Sequence, residues 1–424
     1  MARVGTQGIL AETTGIPSEK EGGKIKSPLM NPRLELLQPY PFERYRALLA
    51  GVTPPAMTPS RLSIGEPQHA TPSLVREALL DSLNGLSAYP ATAGLAQLRE
   101  TMAGWFCRRY ALARLDPTTE VLPVNGSREA LFSFAQAIVD ASRPRPIVVC
   151  PNPFYQIYEG AALLAGAQPA FLNQTAATGF NLDLESLTED QWRRTQLMYV
   201  CSPGNPTGRV FDLDVWRALF EYADRYGFVI ASDECYSEIY PDEQAPPLGA
   251  LEAAERLGRD GYRNLVVFTS LSKRSNAPGL RSGAVAGDAA LLARFLLYRT
   301  YHGSAMGLAV QHASIAAWSD EAHVRDNRAR YREKFAAVVP VLGTALDITP
   351  PDASFYLWAR VPGGDDAAFA RGVFETANVS VLPGSYLARD AHGENPGGGY
   401  IRIALVPDLD ECVAGARRIV EFCR

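Results

Sequence analysis

Five short runs of apolar residues lie between longer amphipathic stretches in the middle of the chain. They occupy positions 146–150, 197–201, 228–232, 265–269 and 283–287. Because these runs are apolar almost throughout rather than alternating, they predict strands that are buried on both faces. Helical spacing separates most of them, and this order is typical of a mostly parallel sheet covered by helices. Ligands are therefore expected at the carboxyl ends of these strands.

Two segments ahead of these strands have the spacing of amphipathic helices. In the segment 71–83, Thr71 is the expected N-cap, Pro72 the first helical residue, and Leu79 one of several apolar residues on a single face. The segment 95–110 follows the same pattern. The sequence therefore predicts helices at both places.

The last third of the chain changes character. Residues 311–345 predict one or two long helices, and three strand-like segments and a closing helix follow them. This mixture is typical of a smaller α+β domain, so we expect a large domain over 67–310 and a small C-terminal domain over 311–424. The segment 29–66 is expected to pack with the small domain. Residues 1–28 have almost no apolar periodicity and are expected to form a disordered extension.

Composition and charge exclude several classes of protein. The 424 residues are 47% hydrophobic and 21% charged, with 41 Lys and Arg against 46 Asp and Glu, a formal net charge of -5. These values argue against a fibrous or disordered protein and provide no basic surface for nucleic acid. No run of 18 apolar residues predicts a membrane span. The six cysteines form no C-x-x-C pair and the histidines have no metal-ligand spacing, so we expect a cytoplasmic protein without a metal.

Polar residues cluster where the predicted strands end. Asn205 follows one strand, and Asp233 and Tyr236 follow the next. Ser270, Lys273 and Arg281 follow the strand at 265–269, and Gly126, Ser127 and Arg128 stand at a helix start. Any one group has a structural explanation, because strand ends are commonly polar. Together they meet the needs of pyridoxal phosphate. Its aldehyde needs a lysine amine and its ring nitrogen needs a carboxylate, while its phosphate needs cations and backbone donors.

These motifs resemble those of the fold-type I, class I and II pyridoxal-phosphate aminotransferases across residues 30–424. The resemblance is carried by "SLSKRSNAPGLRSG", "NPTG", "DECY", "NPFY", "AYPATAGLAQLR", "IGEP" and "YIRIAL". It implies an α/β fold in which a large domain holds a mostly parallel seven-stranded sheet between helices, next to a smaller α+β domain. It also implies that the cofactor is pyridoxal 5'-phosphate.

The resemblance implies a role for each residue of these motifs. Lys273 is the expected catalytic lysine that forms the Schiff base, and Asp233 the carboxylate on the ring nitrogen. Tyr236 and Asn205 are expected on the phenolic oxygen of the ring. The phosphate is expected at Gly126, Ser127, Arg128, Ser270 and Arg281, the stacked aromatic ring at Tyr155, and the substrate carboxylate at Gly65, Asn205 and Arg402. Tyr89 is expected to reach the phosphate of a neighbouring subunit, which implies a homodimer.

Three stretches are most similar to the proteobacterial N-succinyldiaminopimelate aminotransferases of lysine biosynthesis. They are residues 30–51, 150–167 and 270–288. This similarity implies exchange of an amino group between L-glutamate and N-succinyl-2-amino-6-oxopimelate. Both molecules carry additional carboxylates, so the pocket needs a second cation. Arg274 is one candidate for it, and Arg33 and Arg61 are weaker ones.

Other activities share the same cofactor residues. Aminotransferases for aspartate, alanine, aromatic amino acids or N-acetylornithine remain open, and so does a β-eliminating C–S lyase on the same fold. The effector-sensing domain of a transcription regulator is a non-enzymatic alternative. It would need an N-terminal helix-turn-helix domain, for which residues 1–28 are too short. An enzyme acting on amino acids and 2-oxo acids is therefore expected.

Overall fold

The computed structural model describes residues 30–424, an α/β protein whose helices flank a seven-stranded sheet. The extension expected over residues 1–28 lies outside the described residues. None of the helices within 30–424 has both the length and the apolar character needed to cross a bilayer.

The described part of the chain contains fourteen α-helices, eight short 3₁₀ helices and thirteen strands. The helices are α1 (Pro41–Leu48), α2 (Ser73–Asp81), α3 (Ala96–Tyr110), α4 (Ser127–Ile138), α5 (Ile157–Ala165), α6 (Glu189–Arg194), α7 (Leu213–Tyr226), α8 (Ala250–Arg256), α9 (Leu271–Arg274), α10 (Ala289–His302), α11 (Leu308–Ser319), α12 (Ala322–Leu342), α13 (Asp366–Ala377) and α14 (Leu409–Phe422). The strands are β1 (Ser60–Arg61), β2 (Val121–Val124), β3 (Ile147–Asn152), β4 (Gln168–Asn173), β5 (Thr195–Cys201), β6 (Val229–Asp233), β7 (Leu265–Ser270), β8 (Gly283–Gly287), β9 (Asp347–Ile348), β10 (Tyr356–Arg360), β11 (Val379–Ser380), β12 (Leu382–Pro383) and β13 (Tyr400–Ala404).

The large sheet has the strand order β2-β8-β7-β6-β5-β3-β4. Strands β3 to β7 run parallel to their neighbours, whereas β8 is antiparallel to both β7 and β2. The expected fold class, a mostly parallel seven-stranded sheet between helices, is confirmed. The five apolar runs correspond to β3, β5, β6, β7 and β8, whereas β2 and β4 are not among the predicted strands.

Both faces of this sheet are covered, which explains why its strands are apolar throughout. In β5, Leu197 and Tyr199 pack into one core while Met198 and Val200 pack into the other. This alternation follows from the pleat, which points successive side chains to opposite faces. The sheet therefore lies between two apolar layers, and its polar residues are confined to the strand ends.

The C-terminal third forms a four-stranded antiparallel sheet in the order β12-β13-β10-β9. Strand β1 pairs in parallel with β11, with Ser60 opposite Val379, and Tyr45 and Leu62 join the same apolar core. The segment after residue 30 is thus tied to the C-terminal third. The expected bounds of the large and small domains stay a prediction.

The helix predictions hold with one exception at a helix start. The segment 95–110 forms α3, and residues 311–345 hold most of α11 and all of α12. However, α2 begins at Ser73 with Pro72 as its N-cap, and Thr71 makes no capping bond. The Thr71 hydroxyl donates instead to the carbonyl of Asn276 at 2.7 Å. The predicted N-cap is therefore wrong, because a long-range partner takes up that hydroxyl.

Candidate active site

A cavity of about 500 Å³ opens beside the carboxyl ends of β6 and β7. The expected site residues that line it are Gly65, Ser127, Arg128, Tyr155, Asn205, Asp233, Tyr236, Ser270, Lys273, Arg281 and Arg402. Its wall also contains Tyr40, Glu66, Cys235 and Tyr356, which are not among the predicted site residues. The parallel strands thus gather residues that are far apart in sequence.

Lys273 lies in α9, the single helical turn that follows β7. Its Nζ donates a hydrogen bond to the carbonyl of Gly65 at 2.8 Å. Burial, with a smaller contribution from the positive charge of Arg402, lowers the pKa of this amine to about 8. A depressed pKa leaves more of the amine neutral near pH 7, which suits a nucleophile or a base.

Asp233 is the last residue of β6 and is almost fully buried. The hydroxyl of Tyr158 donates to its Oδ2 at 2.7 Å, and the backbone N–H of Cys235 donates to its Oδ1 at 3.2 Å. Burial raises the pKa of Asp233, whereas the hydrogen bond from Tyr158 lowers it. Within 30–424, no ion pair compensates this carboxylate, so it is suited to a cationic ligand group.

The N-terminus of α4, residues 126–128, forms a concave surface next to Arg281, which we call the cradle. Gly126 caps this helix with φ +84°, and a Cβ atom there would collide with the Arg281 guanidinium. The thiol of Cys235 donates to Ser127 Oγ at 3.0 Å, and Ser270 Oγ lies 3.7 Å from the same sulfur. Free backbone N–H groups at a helix N-terminus and an adjacent arginine are suited to a phosphate.

Arg402 enters the cavity from β13. Its Nη1 donates to Asn205 Oδ1 at 3.0 Å and its Nη2 donates to the carbonyl of Ser63 at 3.0 Å. Its guanidinium lies 4.3 Å from the centre of the Tyr356 ring, and its buried Nε has no partner within the described chain. This arginine is therefore buried and oriented but unpaired, as expected of a group that receives a carboxylate.

Arg128 lies at the mouth of the cavity. Its Nε donates to the Tyr155 hydroxyl at 2.6 Å, and its side chain is exposed. The charges of Arg128 and Arg402 both act on the nearby Tyr40 hydroxyl, whose pKa burial nevertheless raises. The Arg128 side chain thus faces the cavity, in addition to its backbone position in the helix cradle.

The charges around the cavity are unbalanced. The cations that line it are Arg128, Lys273, Arg281 and Arg402. None of them takes part in an ion pair within residues 30–424. Asp233 and Glu66 are the acidic residues of the same wall. This excess of unpaired positive charge points to ligands that carry several negative charges.

The structure contradicts the idea that Arg274 is the second substrate cation. Its side chain is buried, lies 4.9 Å from the Trp318 ring, donates to the Ala317 carbonyl at 2.7 Å and pairs with Glu321. It therefore faces α11, with its charge satisfied by protein groups. The weaker candidates, Arg33 and Arg61, do not line the cavity either.

Tyr89 lies apart from the other predicted residues. Its side chain is fully exposed, and it does not line the cavity of its own chain. Its expected role at the phosphate of a second subunit stays a prediction.

Three tyrosines of the site were missed in the sequence. Tyr158 lies in α5 and bonds Asp233, Tyr356 bonds the Tyr236 hydroxyl at 3.1 Å, and Tyr40 lines the mouth. A Cβ atom at Gly65 would collide with the Tyr356 hydroxyl, so a glycine is required there. The sequence pattern does not distinguish these tyrosines, because a buried aromatic residue has the same pattern in a core and beside a site.

The residues present fit pyridoxal phosphate. Among residues 30–424, Asp233 is a buried carboxylate without an ionic partner. Lys273 is an amine of lowered pKa, and the Gly126 cradle has no room for a Cβ atom. By contrast, no group of three or more histidine, cysteine or acidic side chains in the described range could hold a metal ion.

Comparison with known proteins identifies relatives that match nine tenths or more of the chain. Residues 59–419 match the family model "Aminotransferase class I and II". The LL-diaminopimelate aminotransferase of Desulforudis audaxviator is 34% identical, covering 91% of this chain and 96% of that protein. An aminotransferase structure from Neisseria meningitidis has 55% identity and a TM-score of 0.91, covering 93% of this chain and 100% of its own. A probable N-succinyldiaminopimelate aminotransferase from Thermus thermophilus has 28% identity and a TM-score of 0.77, covering 90% and 98%.

Proposed function

The chain belongs to the class I and II aminotransferases, which depend on pyridoxal phosphate, and from this we propose that it acts on N-succinyl-2-amino-6-oxopimelate. The amino donor is L-glutamate, and the products are N-succinyl-LL-2,6-diaminopimelate and 2-oxoglutarate. The names of its relatives support a reaction of diaminopimelate metabolism. The free thiols of all six cysteines support a cytoplasmic location.

Different residues of the cavity move the proton, bind the substrate and hold the cofactor. When bound, pyridoxal phosphate supplies the electron sink that makes the substrate Cα proton acidic. Lys273, with its lowered pKa, is the base that moves this proton. Arg402 presents a planar fork to the α-carboxylate, and Asn205 holds one of its nitrogens in place. Asp233 holds the proton on the ring nitrogen.

The position of Arg128 in the cavity is the observation that supports a dicarboxylic substrate. Once Lys273, Arg281 and Arg402 have been assigned, it is the lining cation that remains. Glutamate and the succinylated acceptor both have a carboxylate beyond the one at Cα. Because Arg128 lies at the mouth and has no acidic partner within the described chain, we assign the distal carboxylate to it.

The curated relative favours a second candidate, LL-diaminopimelate itself. The distal end of this molecule carries an ammonium group as well as a carboxylate. Glu66, which also lines the cavity, would pair with that ammonium. The two candidates therefore differ in whether Glu66 matters for the substrate.

The test is a comparison of substrates with the purified holoenzyme. We expect kcat/KM for N-succinyl-2-amino-6-oxopimelate with glutamate to exceed that for LL-diaminopimelate with 2-oxoglutarate by about tenfold or more. The reverse order, together with a large loss in Glu66→Gln, would establish the second candidate. Release of pyruvate and ammonia from cystathionine without amino transfer would identify a C–S lyase instead.

The Arg128 assignment has its own test. Arg128→Gln should raise the KM for glutamate by about 10- to 100-fold, the value of one charge-assisted hydrogen bond, and leave the KM for alanine unchanged. Arg128→Lys is the matched control and should keep part of the affinity. Weaker pyridoxal phosphate binding with an unchanged KM would return Arg128 to the phosphate role predicted from the sequence.

We also propose that two copies of the chain form a homodimer. Apolar side chains are exposed on α2 and the turn after it, at Leu80, Leu83 and Leu86, next in sequence to the fully exposed Tyr89. Tyr301 of α10 is exposed as well. Exposed apolar residues grouped in this way are typical of an interface, and a twofold pair is the commonest arrangement.

Complementation tests whether Tyr89 serves the other subunit. Lys273→Ala and Tyr89→Ala should each be nearly inactive alone. After mixing and subunit exchange, about a quarter of the sites should regain activity, because half the dimers combine an intact Lys273 with an intact Tyr89 in one site. A monomer in analytical ultracentrifugation, or no recovery despite exchange, would overturn the proposal.

A further inference from the structure

Tyr158 is a buried residue whose hydroxyl contacts the central carboxylate of the site. It lies in α5, is fully buried, and donates to Asp233 Oδ2 at 2.7 Å. Burial raises the pKa of the Tyr158 hydroxyl well above its usual value, so the group remains a donor throughout the working pH range. The contact therefore consists of a neutral donor and a buried carboxylate.

The surroundings of Tyr158 fix its ring. It stacks on Tyr199 with ring centres 4.7 Å apart and planes 11° apart, and Tyr155 meets it edge to face at 5.8 Å. Tyr199 directs its own hydroxyl elsewhere, to the carbonyl of Leu131 at 2.6 Å. Of the two stacked tyrosines, Tyr158 is thus the one that reaches the site.

We propose that Tyr158 is a positioning residue that keeps Asp233 ionised and oriented, and thereby sets how firmly the ring nitrogen of pyridoxal phosphate retains its proton. The Tyr158 hydroxyl and the Cys235 backbone N–H both donate hydrogen bonds to Asp233, and the Tyr158 hydroxyl makes the shorter contact, at 2.7 Å. A hydrogen bond to the charged form of a buried carboxylate stabilises that form. Without it, the proton shared between Asp233 and the ring nitrogen moves toward the carboxylate.

This inference rests on the role proposed for Asp233, so the experiment measures the ring nitrogen directly. Holoenzyme is reconstituted with pyridoxal phosphate labelled with ¹⁵N in the ring, and the ¹⁵N chemical shift is followed against pH. In Tyr158→Phe the ring nitrogen should lose its proton about one pH unit lower than in the wild type, the value of one hydrogen bond to a charged group. Tyr199→Phe is the matched control, since it removes a stacked hydroxyl that does not touch Asp233, and it should titrate like the wild type.

A second measurement covers the protein without cofactor. Difference infrared spectroscopy should show the carboxyl band of Asp233, assigned by its loss in Asp233→Asn, titrating about one unit higher in Tyr158→Phe. Identical titrations in Tyr158→Phe and Tyr199→Phe would overturn the proposal for Tyr158. If the titration of the ring nitrogen is unchanged in Asp233→Asn, the role of Asp233 is overturned and this inference with it. The proposed amino transfer to the succinylated acceptor is tested independently by its own activity assay.

Discussion

The two ends of the cavity are built in different ways. At the cofactor end, Asp233 and Ser270 terminate neighbouring strands of one sheet, and Ser127 begins the helix packed beside them. At the substrate end, Arg402 comes from the antiparallel sheet and Gly65 from the segment before α2. The cofactor end is thus fixed by a single sheet, whereas the substrate end depends on separate parts of the chain meeting. Changes at one end should therefore leave the other largely intact.

Among substitutions that affect only one end of the cavity, the largest loss of activity is expected at the substrate end. Arg402→Lys should lower kcat/KM for glutamate by about 100-fold, because a lysine cannot reproduce the bidentate fork. The affinity for pyridoxal phosphate, measured by absorbance titration, should not change. A parallel loss of cofactor affinity would show that the two ends are not independent.

The matching change at the cofactor end is Gly126→Ala. A Cβ atom at φ +84° is strained and would displace Arg281, so pyridoxal phosphate should bind about tenfold more weakly. With saturating cofactor, the KM for glutamate should equal that of the wild type. Ala130→Gly, further along the same helix, controls for a general weakening of α4, and an equal loss of cofactor affinity in that variant would remove the steric explanation.

Lys273 lies between the two ends, and its titration can be followed as cofactor binding. Because its pKa is lowered to about 8, the neutral amine increases about tenfold per pH unit below 8 and levels off above it. The rate at which cofactor-free protein takes up pyridoxal phosphate should follow this curve in stopped-flow absorbance. A rate that still rises beyond pH 10 would indicate an ordinary exposed lysine.

The smallest effect on activity is expected from Arg274, although it adjoins Lys273. Arg274→Met should leave the KM for glutamate unchanged, because the side chain faces Trp318 and Glu321 rather than the cavity. It should lower the free energy of unfolding by about 1–3 kcal/mol, since the Ala317 carbonyl loses its donor. Denaturant unfolding and steady-state kinetics measure both, and a raised KM would restore Arg274 as a substrate residue.

The sequence predicted the centre of the sheet better than its edges. The runs at 197–201 and 228–232 are central strands, apolar on both faces and therefore conspicuous. The missed strands β2 and β4 are the two edges, and each contains a proline, Pro123 or Pro169. Edge strands tolerate proline because one side of their backbone needs no partner, and the proline interrupts the β-branched and aliphatic run that identifies central strands.

The residues of the site could likewise be predicted only in part. Residues that follow strands, such as Asn205 and Asp233, could be found because parallel strand ends meet at one edge. Tyr158 and Tyr356 could not, because a buried aromatic residue in a helix or strand has the same pattern whether it contacts the core or a catalytic group. Arg274, one candidate for the second substrate cation, could not be placed for a related reason, since adjacency in sequence says nothing about which way a side chain points from a single helical turn.

The thiol of Cys235 has a practical consequence for work on this protein. It lies in the phosphate cradle, yet burial and the charge of Asp233 raise its pKa well above that of a free cysteine. Because alkylating reagents attack the thiolate, this sulfur should stay unmodified at neutral pH. Cys107 and Cys423 are partly exposed and therefore more accessible to fluorophores or spin labels. Burial raises the pKa of both thiols too, so labelling them calls for a pH above neutral.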